Sequence, residues 1–277
     1  MDIKIRNIDL HKDIKGIRET HGSDDHWGSD EVCFESTQTA LENGFFIQVA
    51  ICNNKIVGHA EWVISDEPKH RFLYLEMLQI HEAYQKHGIG TKLIESGAVY
   101  AKDNGCAFLR TMPDITSGSI FFYQKNGFIQ TKDSNNILKL KTTAESTKNA
   151  VCIDKVPFTV VKCLPFVIGL YQQASAYIWK VYNAQHKYDD RTVSSFRIDE
   201  SYINIGAFST FESTEQVSVA CWSKQLSPAL IKEILAIGGS LDYKYLNFCI
   251  LNENIMQFNP FDYEKSKEND VFMERYI

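Results

Sequence analysis

Leu73-Tyr74-Leu75-Glu76-Met77-Leu78-Gln79-Ile80 leads, shortly afterwards, into Gln85-Lys86-His87-Gly88-Ile89-Gly90-Thr91. The first stretch is apolar and bounded by polar residues, which reads as a buried strand. The second is a glycine-bearing turn that opens a helix: Ile89, Leu93, Gly97 and Ala101 share one helical face, with Ile94 and Ala98 beside them. Glycines let the backbone approach a ligand without Cβ collisions. Backbone N–H groups at a helix start converge on one point, and the helix dipole favours an anion there. Strand, turn and helix together suit a phosphate or pyrophosphate. Gly90-Thr91-Lys92 lacks the Gly-Lys-Ser/Thr order of the nucleotide P-loop. The dinucleotide pattern fails as well, because its third glycine would fall on Leu93.

Working outward, residues 3–8 read as a strand and 10–20 as a helix, and Ser29 and Asp30 cap a second helix running to about 43. Residues 45–52 and 55–65 form a hairpin around Asn53-Asn54. After the central helix, closed by Gly105, come a strand at 108–112, a helix at 117–126 stopped by Gly127, and a strand-like run at 128–141. The Thr-, Lys- and Ser-rich segment 141–149 marks a boundary, giving domains 1–148 and 149–277. In the second, Val167, Leu170, Tyr171, Ala174, Ile178 and Val181 set a helical period over 166–182. Strands are expected at 202–208, 217–222 and 245–251. Ser227 caps a helix with Pro228 at its first position and Gly238 just past its end.

The turn resembles Gln/Arg-x-x-Gly-x-Gly/Ala, the pyrophosphate loop of the GCN5-related N-acetyltransferase (GNAT) superfamily. Phe122-Tyr123-Gln124-Lys125-Asn126-Gly127-Phe128 is similar to the Tyr helix that follows in that family. The resemblance covers residues 1–142. It implies an α/β (α+β) fold with a mixed central sheet flanked by helices, acetyl-CoA as cosubstrate, and no metal. It implies further that Leu78 and Ile80 offer main-chain groups to the pantetheine arm, that Gln85, Lys86, His87, Gly88, Ile89, Gly90 and Thr91 cradle the pyrophosphate, and that Tyr123 lies by the cofactor sulfur. Ser117 joins the cofactor-binding set at a position where the family often has Asn, and Ile120 replaces a usual small residue. Residues 149–277 lack a second such loop and read as a smaller α+β domain, or as a GNAT-like half without its cofactor loop.

Acyl transfer to an amine requires removal of a proton from the ammonium and protonation of the leaving thiolate. Glu76 lies on the strand that feeds the turn. Its surroundings resemble the Leu-Glu-x-x-x-Val strand of small-molecule members such as aminoglycoside and streptothricin acetyltransferases, in which the carboxylate lies near the acceptor amine. Apolar neighbours favour the neutral form of a carboxyl, which suits a base working near neutral pH. Glu76 is therefore the candidate base, directly or through water, and Tyr123 the candidate acid. The bland alternatives are a structural Glu paired with Lys or Arg, and a core Tyr beside Phe121 and Phe122. The loop 19–31 holds Glu19, Asp24, Asp25, Asp30 and Glu31 with Trp27, His21 and His26 and no Lys or Arg. It reads either as a lure for a cationic amine or as a solvated loop.

The 277 residues are 44% hydrophobic and 23% charged, with a formal net charge of −6. That balance supports a sizeable core and gives no basic face for nucleic acid. The N-terminus lacks an apolar signal core, and no run approaches the roughly 18 apolar residues of a membrane span. Cys33, Cys52, Cys106, Cys152, Cys163, Cys221 and Cys249 are scattered without a Cys-x-x-Cys pair. This reads as reduced thiols in a cytoplasmic protein, with no metal site. The expected activity is acetyl transfer to a primary amine of a small molecule. A peptide acceptor and a non-catalytic acyl-CoA-binding module are the alternatives, and a homodimer remains open.

Overall fold

The computed structural model describes residues 1–277 except 26, 43, 67–70, 114–117, 146, 148, 155, 158–163, 170–192, 207–214 and 266–270. It contains two compact units: Met1–Thr131 with Phe272–Ile277, and Lys132–Val271.

The first unit runs β1 (Lys4–Asn7), α1 (Leu10–His21), α2 (Asp30–Glu42), β2 (Phe45–Cys52), β3 (Lys55–Asp66), β4 (Arg71–Ile80), α3 (Ile89–Asp103), β5 (Phe108–Thr111) and α4 (Ser119–Lys125). β1 to β4 are antiparallel neighbours in sequence order, and β5 lies parallel to β4. Asn53 and Asn54 both have positive φ (48° and 60°), the geometry a two-residue hairpin loop requires, and Cys52 pairs with Lys55 across it. Ser29 Oγ accepts from the Val32 N–H at 3.2 Å and caps α2 as its type predicts. On one face of the sheet, Ile14 and Ile17 of α1 and Cys33 of α2 pack with Trp27 and Val49. The apolar stripe of α3 is buried at Ile89, Leu93, Ile94 and Ala101.

The second unit takes up most of β6 (Ile129–Lys141), then β7 (Ala150–Ile153), β8 (Phe166–Ile168), β9 (Val193–Ile198), β10 (Ser201–Gly206), β11 (Gln216–Trp222), α5 (Pro228–Ser240), β12 (Tyr245–Leu251), a 3-10 segment (Asn252–Phe258) and β13 (Tyr263–Lys265). β9, β10 and β11 form an antiparallel meander, α5 follows, and β12 returns parallel to β11. This repeats the order of β2, β3, β4, α3 and β5. Among the described residues, its core is built of buried apolar side chains from the sheet, α5 with Leu226 before it, and the 3-10 segment.

Three expectations change. The sequence boundary stood at 148/149, whereas the compact units divide at 131/132, within β6. The Thr-rich segment taken for a linker is tied into the second unit: Thr142 N–H donates to the Lys244 carbonyl and Thr143 N–H to the Leu235 carbonyl. Residues 166–168 form a strand rather than the start of a helix, and the rest of that expected helix, with Tyr171, Tyr177, Trp179 and Tyr182, lies outside the described residues. α5 continues through Gly238 to Ser240.

The last strand, β14 (Val271–Tyr276), belongs to the first unit from Phe272 onward and pairs antiparallel with β5, Met273 opposite Thr111 and Tyr276 opposite Phe108. Nothing in its composition announces this destination.

Candidate active site

β4 and β5 share only three rungs, Leu73–Leu109, Tyr74–Arg110 and Leu75–Thr111. β5 ends there, while β4 continues to Ile80. The two strands fork at Leu75 and Thr111.

β4 carries a β-bulge at the fork. Glu61 pairs with Met77 and Trp62 with Leu75, so Glu76 is the extra residue. Bulges re-aim side chains and interrupt pairing. Beyond it, His81 N–H donates to the Val57 carbonyl at 3.0 Å. Main-chain groups alternate in direction along an antiparallel strand. Those of Leu78 and Ile80 therefore turn from β3 toward the forked edge. Gln85 Nε2 reaches the Ile80 carbonyl from that side at 3.2 Å. The Gln85 side chain thus ties the turn to β4, and its amide is committed to Ile80 rather than pointing outward.

The turn itself is exposed from Gln85 to Gly88, with Lys86 at φ 64° and Gly88 at φ 76°. Gly88 is the N-cap of α3, and no side chain caps the helix. The first described bond along the helix is Lys92 N–H to the Gly88 carbonyl, so the preceding N–H groups point off the helix end. A phosphate-bearing cofactor fits such an end: the donors are main-chain, and the space around Gly88 is open. His87 Nδ1 lies 2.7 Å from the Gln85 carbonyl.

The two glycines do different work. A Cβ on Gly88 would meet nothing within 4 Å, so its requirement is the left-handed backbone. A Cβ on Gly90 would lie 2.9 Å from Cζ of Phe122, so Gly90 lets α4 pack on α3. We therefore expect Gly90→Val to lower the thermal midpoint by displacing Phe122. Gly88→Val should instead weaken acetyl-CoA binding with less effect on that midpoint. Calorimetric titration and thermal unfolding of both variants separate the two effects, and identical behaviour would refute the distinction.

Tyr123, on α4, is buried, with its ring edge-on to Phe122 and Phe128. Burial pushes its phenol up to about 12, opposed in part by a side-chain hydrogen bond with Thr111. Thr111 Oγ1 in turn donates to the Leu75 carbonyl at 3.3 Å. The phenol is thereby held at the fork, through the residue that forms its last rung. Sequence reasoning missed Thr111; its only mark is its place at the end of β5. Phe121, read as core, is 76% exposed. Ser117 lies outside the described residues.

The acidic loop is tied in part to α1. Arg18 of α1 holds Asp25 (2.5 Å) and Asp30 (2.5 Å), so these two carboxylates are neutralised locally. Trp27 is buried against His21, ring centroids 4.8 Å apart, and belongs to the core under α1. His59 is buried beside it, with its Nδ1 3.2 Å from Thr20 Oγ1 and its Nε2 3.7 Å from Glu61 Oε1. Among the described residues, no cluster of His, Cys, Asp and Glu is placed to hold a metal, and no helix is long and apolar enough to cross a membrane.

Residues 13–128 match the model of the acetyltransferase (GNAT) family. The fold agrees with solved structures of that kind at low identity. A GCN5-related N-acetyltransferase from Anabaena variabilis has a TM-score of 0.69 at 13% identity, covering 99% of this chain and 73% of that one. One from Kribbella flavida has 0.66 at 12%, covering 99% and 72%. A tandem GNAT protein from the clavulanic acid biosynthesis pathway has 0.56 at 10%, covering 99% and 98%. No curated protein sequence matches the chain significantly. Residues 13–128, within the first unit, thus form a domain of the GNAT family. Such a domain supports acyl-CoA-dependent N-acetyl transfer, and the whole chain is similar in fold to a tandem GNAT protein.

Proposed function

We propose that the first unit transfers an acetyl group from acetyl-CoA to a primary amine of a small molecule, by direct attack of the amine within a ternary complex. In this reading the main chain of residues 86–91 receives the pyrophosphate, with Gln85 fixing the turn to β4, and the outward main-chain groups of Leu78 and Ile80 receive the pantetheine arm as an added strand. Glu76 takes the proton of the acceptor ammonium, directly or through water, and Tyr123 protonates the departing thiolate. As the C–N bond forms, the C–S bond breaks. The ammonium proton taken by Glu76 passes on to solvent, the thiolate receives the phenol's proton, and the nitrogen's remaining surplus proton restores the phenol through water.

One observation carries the proposal. Thr111 links the Tyr123 phenol to the Leu75 carbonyl, and Glu76 is the next residue, displaced from regular pairing by the bulge. The candidate acid is thus tied, through Thr111, to the main chain one residue before the candidate base, which supports the two acting at the same fork. The segment Tyr74 to Ile80 and its likeness to small-molecule acetyltransferases support a small amine.

The test is thiol release from acetyl-CoA against polyamines, aminoglycosides, amino acids and peptides. We expect turnover on a small amine. We also expect Glu76→Gln to lose about 10²-fold in kcat with acetyl-CoA affinity unchanged. Turnover confined to peptides would sink the small-amine assignment. An undiminished rate in Glu76→Gln, with chemistry limiting, would remove Glu76 from the mechanism.

A further inference from the structure

The second unit repeats the fork of the first. β11 and β12 run parallel through four rungs, the last being Val219–Phe248, and β11 then continues to Trp222. β10 covers the other edge of β11 at Cys221 and Trp222. In the first unit, the corresponding edge of β4 is the one assigned above to the pantetheine arm, and the inference rests on that reading.

Here the edge is taken. β8 pairs antiparallel with β11, Ile168 opposite Cys221 and Phe166 opposite Trp222. Ser223 N–H donates to the Pro165 carbonyl at 3.0 Å. On the opposite side of the fork, Gly169 N–H donates to the Cys249 carbonyl of β12 at 2.8 Å. The segment thus bonds to both diverging strands beyond their last shared rung, one residue past it on β12 and two to four residues past it on the β11 side. Ile168, Cys221 and Trp222 are fully buried. Phe166 lies on the Trp222 indole, centroids 5.0 Å apart, and folds so closely over Gly169 that a Cβ there would stand 1.8 Å from its Cζ.

The helix after this fork is closed as well. Ser227 Oγ accepts from the Leu230 N–H at 3.2 Å, and Pro228, at the first position, has no N–H. α3 has neither feature.

We infer that residues 165–169 permanently fill the second fork in the manner of a bound pantetheine arm, so that the chain carries one acyl-CoA site, in its first unit. The second unit has replaced ligand contacts with a strand of its own. Each main-chain bond made there spares a buried group the cost of lacking a partner.

Hydrogen exchange on the full chain, with and without saturating acetyl-CoA, tests this. Peptides covering 165–169 and 220–223 should be slow to exchange in the free chain and should stay so with acetyl-CoA, while 78–92 should slow on binding. Release of 165–169 into fast exchange on adding acetyl-CoA, or a calorimetric stoichiometry of two, would overturn the inference. Silence at 78–92 with an unchanged second unit would leave the filled second fork standing and sink the first-unit cofactor placement on which the single site depends. Gly169→Ala must expel the Phe166 ring, and Phe166→Ala removes it with less risk to folding. Either should speed exchange over 165–169 by about tenfold or more without creating a second binding site. Unchanged exchange in both would show that this segment is not what seals the fork.

Discussion

Tyr123→Phe should reduce kcat by about 10²-fold or more while leaving acetyl-CoA affinity near that of the parent, the scale of losing one positioned acid. The phenylalanine ring keeps the packing against Phe122 and Phe128 and removes only the hydroxyl that meets Thr111. Burial holds the phenol up at about 12, so it remains a proton donor throughout neutral and mildly alkaline pH. Any limb of the pH–rate profile below about pH 10 then belongs to another group, and the Tyr123→Phe profile should keep the parent's shape at a lower height. The same shift affects stability. The folded state holds the neutral phenol, with a pKa raised from 10.0 to about 12, so its contribution is complete below pH 10 and is lost as pH rises through about 12. Rate measurements from pH 6 to 10 on both proteins decide the matter. A profile that changes shape in this range, or a near-parental rate with chemistry limiting, would contradict the assignment of Tyr123.

The second large effect is expected at the chain's far end. Glu274 on β14 pairs with Arg110 on β5 through two guanidinium nitrogens, Nε at 2.9 Å, with both residues buried. Phe72, Phe108 and Phe272 surround the cation, their ring centres 4.6, 5.3 and 5.7 Å from its carbon. Arg275 on the same strand clasps Glu95 of α3 with two bonds. Removing one member of a buried ion pair strands the other, at about 3–5 kcal/mol. Glu274→Ala should destabilise the first unit by that order in chemical denaturation. Replacing both Arg110 and Glu274 with Met should recover most of the loss, because an apolar pair of similar size carries no desolvation penalty. A double variant no better than Glu274→Ala would refute this account. A chain cut at 148/149 lacks β14 altogether, so the boundary suggested by composition would yield a first unit with an exposed β5 edge. It should express poorly and show no amine acetylation, whereas full turnover by that fragment would show β14 to be dispensable.

Local chemistry made the first unit legible. Asn53-Asn54 can hardly be anything but a tight turn, Ser29 and Ser227 are caps by type, and Gly88 before an apolar helical stripe marks the α3 start. Each depends on neighbours a few residues away, and such information is written in order along the chain. The resemblance carried by Gln85 to Thr91 and the Tyr123 helix implied an edge of β4 offering main-chain groups, but not the fork at Leu75 and Thr111. Nor did it imply the bulge at Glu76, because a bulge is a fact about the register with β3 and not about β4 alone.

What tertiary structure decided depends on contacts between distant segments. Five acidic residues in one loop left a lure for a cation and a solvated loop equally open, and only the fold shows that Arg18, one helix earlier, pairs with two of them. Gly90 suggested room for a ligand until Phe122 proved to be its neighbour. The boundary at 148/149 followed composition, yet Thr142 and Thr143 bond into the second unit and β14 returns to the first. The apolar run at Phe166 to Ile168 is equally good as helix or strand, since a few apolar residues carry no decisive period. Its choice of strand is made by the open edges of β11 and β12, whose unpaired main-chain groups would otherwise be buried without partners. The sequence by itself determined the elements of the first unit from β1 to α4 and the turn that opens α3. Only the folded chain determined which strand ends where, because a main-chain hydrogen bond is specified by the partner it finds and not by the residue that makes it.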